Sequence, residues 1–416
     1  MSNWFGYKLT KEGRHEGSHI VNMLGQNKTQ NGSLYELSTV RTPEIIHSGI
    51  LKRITTDWTV PGTNPDKCVG ILLGGAIGDA LGTYTQYKSV TSTHPLIEGF
   101  GDNSANSYGF KRGQYTGYTA QSLCLADTLI ARNMWDPIDF NLRLIAWWHY
   151  GYNNGRGGNS TIGSDYGVCG PLLTFESNGK PYTDYGDTGV SPSAAATRIS
   201  PIAIRYVNEP DSAREIAKLS SRSTFMGDEA YECAMLFTDL LIEAIRYVPS
   251  GSTANETSNM LKRWLLSNEC ITGKLSVKNQ QGAKIYVNRN VDTMAHSQIG
   301  LRRDNQDWNW RVPNYVYPKE EIYQNPTRIG SRVVDCFAMS LNCIETTQSY
   351  AEAVLKAINI CGDSCAIASM TGTLAGAIYG ASAIPIEWRQ EILQWDGGGE
   401  IALRAIILRG MSISPI

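Results

Sequence analysis

Two short segments of this 416-residue chain carry glycine at every fourth position. Gly74, Gly78 and Gly82 form one set. Gly372, Gly376 and Gly380 form the other, with Ala368 one turn earlier. At that spacing each set lies on one face of a helix. A glycine in a helix interior costs roughly 1 kcal/mol relative to alanine. Six of them need a compensation, and close approach of two backbones supplies one. The pattern therefore predicts two smooth helices packed together at the centre of a bundle, with their ends brought to one place.

Around this pair, apolar spacing predicts helices over 68–82, 119–132, 137–149, 211–219, 226–247, 254–268, 331–346, 349–361, 363–381 and 386–394. Residues 150–190, rich in Gly, Asn and Asp, read as loop. The expected fold class is all-α, one large helical domain with long loops. Residues 1–66 read as an irregular N-terminal arm with a short apolar patch at Ile45, Ile46, Ile50 and Leu51. Pro61, Gly62, Asn64 and Pro65 mark a breaker cluster before the domain at 67–416. Residues 270–330 read as a small irregular or β insertion, laced with Tyr286, Trp308, Trp310, Tyr315, Tyr317 and Tyr323. The span 364–386 has no charge, but its five hydroxyl residues and Pro385 favour a buried core helix over a membrane span.

Charge excludes some partners. Lys plus Arg number 37 against 39 Asp plus Glu, and no basic run exceeds Arg302-Arg303, so there is no footprint for nucleic acid. Only 18% of residues are charged, below the usual figure of about 25%. The 21 Tyr and 10 Trp must then cover part of the surface or meet a partner. Nine dispersed cysteines without a CxxC pair read as reduced thiols. With no apolar segment at the N-terminus, an intracellular, cytoplasmic protein is expected.

Several motifs look chemical. His15-Glu16-Gly17-Ser18-His19 matches the HExxH zinc pattern, but Gly17 and Ser18 are poor helix formers, so solvated chain is the better reading. Cys361 and Cys365 stand one turn apart and read as buried small hydrophobes on one helix face, since two thiols do not complete a zinc site. His149, among Trp147, Trp148 and Tyr150, reads as structural. Asp363 reads as a helix cap. Asp79 lies inside the first glycine helix, where it is either exposed on the far side or hydrogen-bonded near a pocket.

Taken in order, these segments resemble the ADP-ribosylglycohydrolases, the family of the dinitrogenase reductase-activating glycohydrolase and the J1-crystallins. Gly74-Gly75-Ala76-Ile77-Gly78-Asp79-Ala80-Leu81-Gly82 resembles the family's opening helix. Gly113-Gln114-Tyr115-Thr116-Gly117-Tyr118-Thr119 is similar to G-x-[WY]-T-D-D-T. Residues Ala195 to Ile202 resemble N-G-[AS]-x-M-R-x-x-P, with Arg198 and Pro201 kept. Ser221 to Phe225 resemble S-x-x-T-H. Residues Asn359 to Ala366 are similar to N-x-G-G-D-x-D-T, followed by the glycine helix and Ile384 to Trp388. Five blocks in this order cover about residues 67–395.

The resemblance implies an all-α fold whose cleft holds two divalent cations, usually Mg²⁺. They bind the ribose of an ADP-ribosyl group and position water for attack on the anomeric carbon. The departures fall on that machinery. Thr116 remains, but Gly117 and Tyr118 replace both aspartates of the second block. Asp363 remains, but Cys365 and Ala366 replace the second Asp and the Thr of the fifth. Phe225 replaces the His that faces the substrate phosphates, and Ser193 and Ala194 replace the Asn-Gly of a phosphate loop. Mg²⁺ needs hard oxygen ligands, so neither Mg²⁺ is expected, and Tyr118 is expected to project into the cation position. This pattern implies a catalytically inactive member, a structural or binding subunit that meets protein partners through the arm and the aromatic insertion. Two alternatives stand beside it. One is a hydrolase with an altered site built from Asp79, Asp363 and Asp165, with Thr116 and Thr119 positioning substrate. The other is a non-hydrolysing binder of ADP-ribose or a nucleotide.

Overall fold

The computed structural model describes residues 61–412, apart from 102–105, 107, 156–165, 185–191, 248–253, 268–269, 271–325 and 397–398. The HExxH segment, the arm up to residue 60, the aromatics at 286–323 and Asp165 lie outside the described residues. In chain order the helices are α1 (Asn64–Gly82), α2 (Gly117–Arg132), α3 (Pro137–Tyr150), α4 (Tyr166–Asn178), α5 (Ala194–Thr197), α6 (Ser200–Arg205) and α7 (Pro210–Arg222). They continue as α8 (Asp228–Arg246), α9 (Ala254–Leu265), α10 (Val333–Glu345), α11 (Tyr350–Asn359), α12 (Ser364–Tyr379), α13 (Ile386–Leu393) and α14 (Glu400–Met411). Among the described residues there is no strand, only an isolated antiparallel bridge between Pro192 and Arg332. The fold is all-α.

The glycine helices are its axis. α1 packs along α12 in the most extensive helix contact of the molecule. A Cβ added at Gly74 would fall within 3.0 Å of the Gly372 carbonyl, and one at Gly372 would meet the Gly74 carbonyl as closely. Gly70 and Gly376 oppose each other in the same way, Gly78 opposes Ala368, and Gly82 opposes the Cys365 backbone. The crossing thus runs over four turns, one more than the first glycine set indicates, because Gly70 joins it. Gly380 does not: it ends α12 with φ +82° and sits against Asp66. Tyr350 of α11 seals the seam, its hydroxyl donating to the Gly74 carbonyl at 2.8 Å.

The start of α1 lies inside the breaker cluster. Thr63 caps it by accepting from the Asp66 N–H at 3.3 Å, and Pro65 occupies the first turn, where its missing N–H costs nothing. Lys67, buried one residue on, donates from Nζ to the carbonyls of Ala244 and Tyr247, both at 3.0 Å. It closes the C-terminal end of α8 with a positive charge. Burial holds its ammonium at about 8.

Four helices stand where none was expected: α4, the short α5 and α6, and α14. α4 forms within the expected loop 150–190, despite Pro171 inside it. Val168, Leu172 and Phe175 lie on one face and are buried, and that burial outweighs the single backbone bond that Pro171 removes. His149 of α3 reinforces the docking, since its Nε2 lies 2.8 Å from Glu176 of α4 and its ring stacks on Trp148. That is the structural role expected of it. α14, beyond the last expected helix, is held by a buried ionic cluster. Asp127 of α2 accepts from Arg404 Nε at 2.7 Å, from the Tyr152 hydroxyl at 2.6 Å and from Asn153 Nδ2 at 2.8 Å.

The uncharged segment forms α12, buried from Ser364 to Ile378. Among the described residues no helix is long and apolar enough to cross a membrane. All nine cysteines are free thiols, and all but Cys169 are buried.

Candidate functional site

The N-terminal ends of α2 and α12 meet beside the C-terminal half of α1. Asp79 stands there on α1, fully buried, and four donors converge on its carboxylate. Thr116 gives its backbone N–H at 3.0 Å and its hydroxyl at 2.6 Å. Thr119 gives its N–H at 3.0 Å and its hydroxyl at 2.7 Å. Of the two readings of Asp79, the bonded one is correct. Its carboxylate pins the first turn of α2 against α1. Burial is the largest influence on it and lifts its pKa to about 6, even though all four donors pull the other way. The Cys365 thiol also bonds Asp79, and burial pushes that thiol well above the usual range.

Asp363 lies across from it, just before α12. It caps the helix, accepting from the Ala366 N–H at 3.4 Å. The Tyr118 hydroxyl donates to its Oδ2 at 2.8 Å, and so does Ser331 at 2.8 Å, while Gln86 Nε2 donates to Oδ1 at 2.8 Å. Ser193, fully buried, donates to the Tyr118 hydroxyl at 3.4 Å. Gln86 also accepts from the Cys365 N–H at 2.8 Å and meets the Tyr108 hydroxyl. Gln86 and Ser331 organise this site, yet neither lies in a motif block. Neither carries a spacing that would single it out.

The structure therefore brings Asp79, Thr116, Tyr118, Thr119, Ser193, Asp363 and Cys365 into one connected network. Gly117 opens α2 with no side chain to offer, and Ala366 contributes only its backbone N–H. Phe225 has no polar side-chain atom to join the network and is buried in a small cluster with Ala195 and Ala230. Arg198 is buried, and among the described residues no carboxylate pairs with it. It donates to Gln121 at 2.9 Å and Thr224 at 2.8 Å and lies over the Phe140 ring. Burial lowers it to about 9. It ties the α5–α6 turn to α2 and α7.

A cavity of about 10 Å³ is lined by Tyr118 together with Thr119, Ser122, Ser200, Ser369 and Thr373. That is room for about one water molecule.

Cys361 lies outside α12, not on a shared face with Cys365. Its φ is +71°, at a position where the family motif has glycine. Its thiol lies 3.0 Å from His94 Nε2. The preceding Asn359 clamps the same loop, accepting from the Ile97 N–H and donating to the Ile97 carbonyl, both at 2.9 Å. Asn359→Ala is expected to lower stability by about 1–2 kcal/mol through those two orphaned backbone groups. Urea unfolding midpoints check this.

The two glycine helices, the threonine-capped α2 and the aspartate-capped α12 appear in the order a known family uses. The sequence pattern of the ADP-ribosylglycohydrolases matches residues 61–412. The chain belongs to the ADP-ribosylglycohydrolase family. Among relatives, the ADP-ribosylarginine hydrolase Tri1 of Pseudomonas putida is 24% identical over 334 residues, covering 79% of this chain and 74% of Tri1. The ADP-ribosylhydrolase ARH3 of Gallus gallus is 23% identical, covering 78% of this chain and 89% of its own. A solved structure described as an ADP-ribosylglycohydrolase-related protein complex superposes with a TM-score of 0.61. It is 25% identical and covers 84% of this chain and 99% of its own.

Proposed function

We propose that this chain is an ADP-ribosylglycohydrolase-fold protein without hydrolase activity, acting as a structural or binding subunit of a larger assembly. The observation that carries this reading is the Tyr118 hydroxyl, 2.8 Å from Asp363 where the family places a carboxylate. The donor set argues the same way. Two Mg²⁺ need several hard oxygens, mostly carboxylate and water. Gly117 and Ala366 have none to give, Cys365 offers a soft and buried sulfur, and the Thr116 hydroxyl is committed to Asp79. Asp363 is left, and its oxygens already accept from three side chains. Among the described residues no three His, Cys, Asp or Glu side chains gather as a metal would need. The residues present do not fit the family's cations, and no catalytic step is derived through them.

The assembly half of the proposal draws on the arm at 1–66 and on the aromatic insertion at 270–330. Tyr and Trp anchor interfaces well, and the insertion alone carries Tyr286, Trp308, Trp310, Tyr315, Tyr317 and Tyr323. A solved neighbour described as a protein complex is consistent with this. The balanced charge offers nothing to nucleic acid, and nine free thiols suit a reducing compartment.

The name of the Pseudomonas relative favours one competing reading, an altered hydrolase. The test is purified protein with millimolar Mg²⁺ and an ADP-ribosylated arginine peptide. No ADP-ribose release above buffer is expected. Release that Asp363→Ala abolishes would overturn the proposal. Calorimetric titration with free ADP-ribose addresses the non-hydrolysing binder, and neither heat nor a melting shift is expected.

A further inference from the structure

We infer that Tyr118 is the resident substitute for a cation in this cleft, a positioning residue whose phenol ties α2 to α12 without metal. The inference rests on the reading that the chain carries none of the family's cations, and it asks what replaces them. A buried carboxylate needs donors or positive charge around it. Asp363 is 2% exposed. Three side chains supply it: the Tyr118 phenol from α2, Ser331 from the turn before α10, and Gln86 from the segment after α1. Each stands at 2.8 Å, so three separate stretches of chain converge on one carboxylate. A cation joins elements by attracting oxygens from each, and here neutral donors do the joining.

The phenol is placed for this. Its backbone sits in the first turn of α2, which the Asp79–Thr116–Thr119 contacts hold fixed. Tyr118 is 8% exposed and is one of the residues lining the one-water cavity. Ser193 donates to its oxygen, which leaves the phenol proton for Asp363. A hydroxyl that both accepts and donates forms a chain, and such chains strengthen each member.

Thermal melting of the full chain tests the inference. The wild-type midpoint is expected to agree within about 1 °C in EDTA and in millimolar Mg²⁺ or Mn²⁺. Tyr118→Phe keeps the ring and deletes the donor, and is expected to lower the midpoint by about 2–4 °C, equally with and without metal. Gly117→Asp with Tyr118→Asp restores two carboxylates and is expected to make melting Mg²⁺-dependent. If that variant does not fold, the first two arms still decide. A wild-type midpoint that rises on Mg²⁺, or a Tyr118→Phe protein that melts like wild type, overturns the inference. Its failure is separable from that of the inactive reading. Hydrolysis that persists in EDTA ends the latter alone, and Mg²⁺ stabilisation without turnover ends the former alone.

Discussion

Gly74→Val is expected to leave a protein that does not fold to its native state at ordinary temperature. The valine Cβ alone would sit within 3.0 Å of the Gly372 carbonyl, a backbone atom of the opposing helix. No rotamer change relieves a clash with a backbone. Helices α1 and α12 would have to separate, and their separation opens the core along four turns. The loss expected is above about 4 kcal/mol, the range in which single substitutions expose a disrupted core. Loss of the cooperative melting transition in far-UV circular dichroism is the readout. Gly410 is the control. It lies in α14, and a Cβ there meets nothing within 4 Å. Gly410→Ala is expected to be neutral or to add up to about 0.5–1 kcal/mol through helix propensity. If both substitutions behave alike, close backbone approach does not explain the glycine pattern.

Asp79→Ala is the second large effect. It removes the acceptor for four donors in a site without bulk water. A buried orphan donor costs about 1–3 kcal/mol, so a total loss of about 4–6 kcal/mol is expected once the first turn of α2 has relaxed. Asp79→Asn keeps one acceptor oxygen and lets the threonine hydroxyls turn, so a smaller loss is expected. The comparison with Asp79→Asn also isolates a pH effect. The folded carboxyl titrates near 6, against 3.8 for an unperturbed aspartate. Between those values the folded state holds the proton more tightly than the unfolded chain. The wild type is therefore expected to lose about 2 kcal/mol relative to Asp79→Asn as pH rises from about 4 to 6. Chemical denaturation at several pH values measures this. A difference that stays flat or rises with pH would mean that burial does not dominate the Asp79 environment.

Together these two effects show how packing and chemistry share one frame. Close approach at Gly82 sets the Cys365 backbone against α1, one turn from Asp79. The carboxylate and the start of α12 are thereby brought together.

The sequence alone determined the central pair of helices, the all-α class and the order of the motif blocks. Glycine spacing is a local property with a steep steric consequence, so it can be read without knowing the partner. The Asp363 cap was legible for the same reason: it bonds a backbone N–H three residues on. Tyr118 was legible as an intruder, since a ring cannot stand in for a carboxylate. Tertiary structure decided the rest. It brought Gln86 and Ser331 to Asp363 from distant stretches of chain, buried Phe225 against Ala195 and Ala230, and moved Cys361 off the helix. It also formed α4 through Pro171 and anchored α14 through Arg404 and Asp127. Each depends on a partner far away in the chain, and the energy that selects it is burial or a buried charge pair. Neither has a period in the sequence, so neither could be read before the chain was folded.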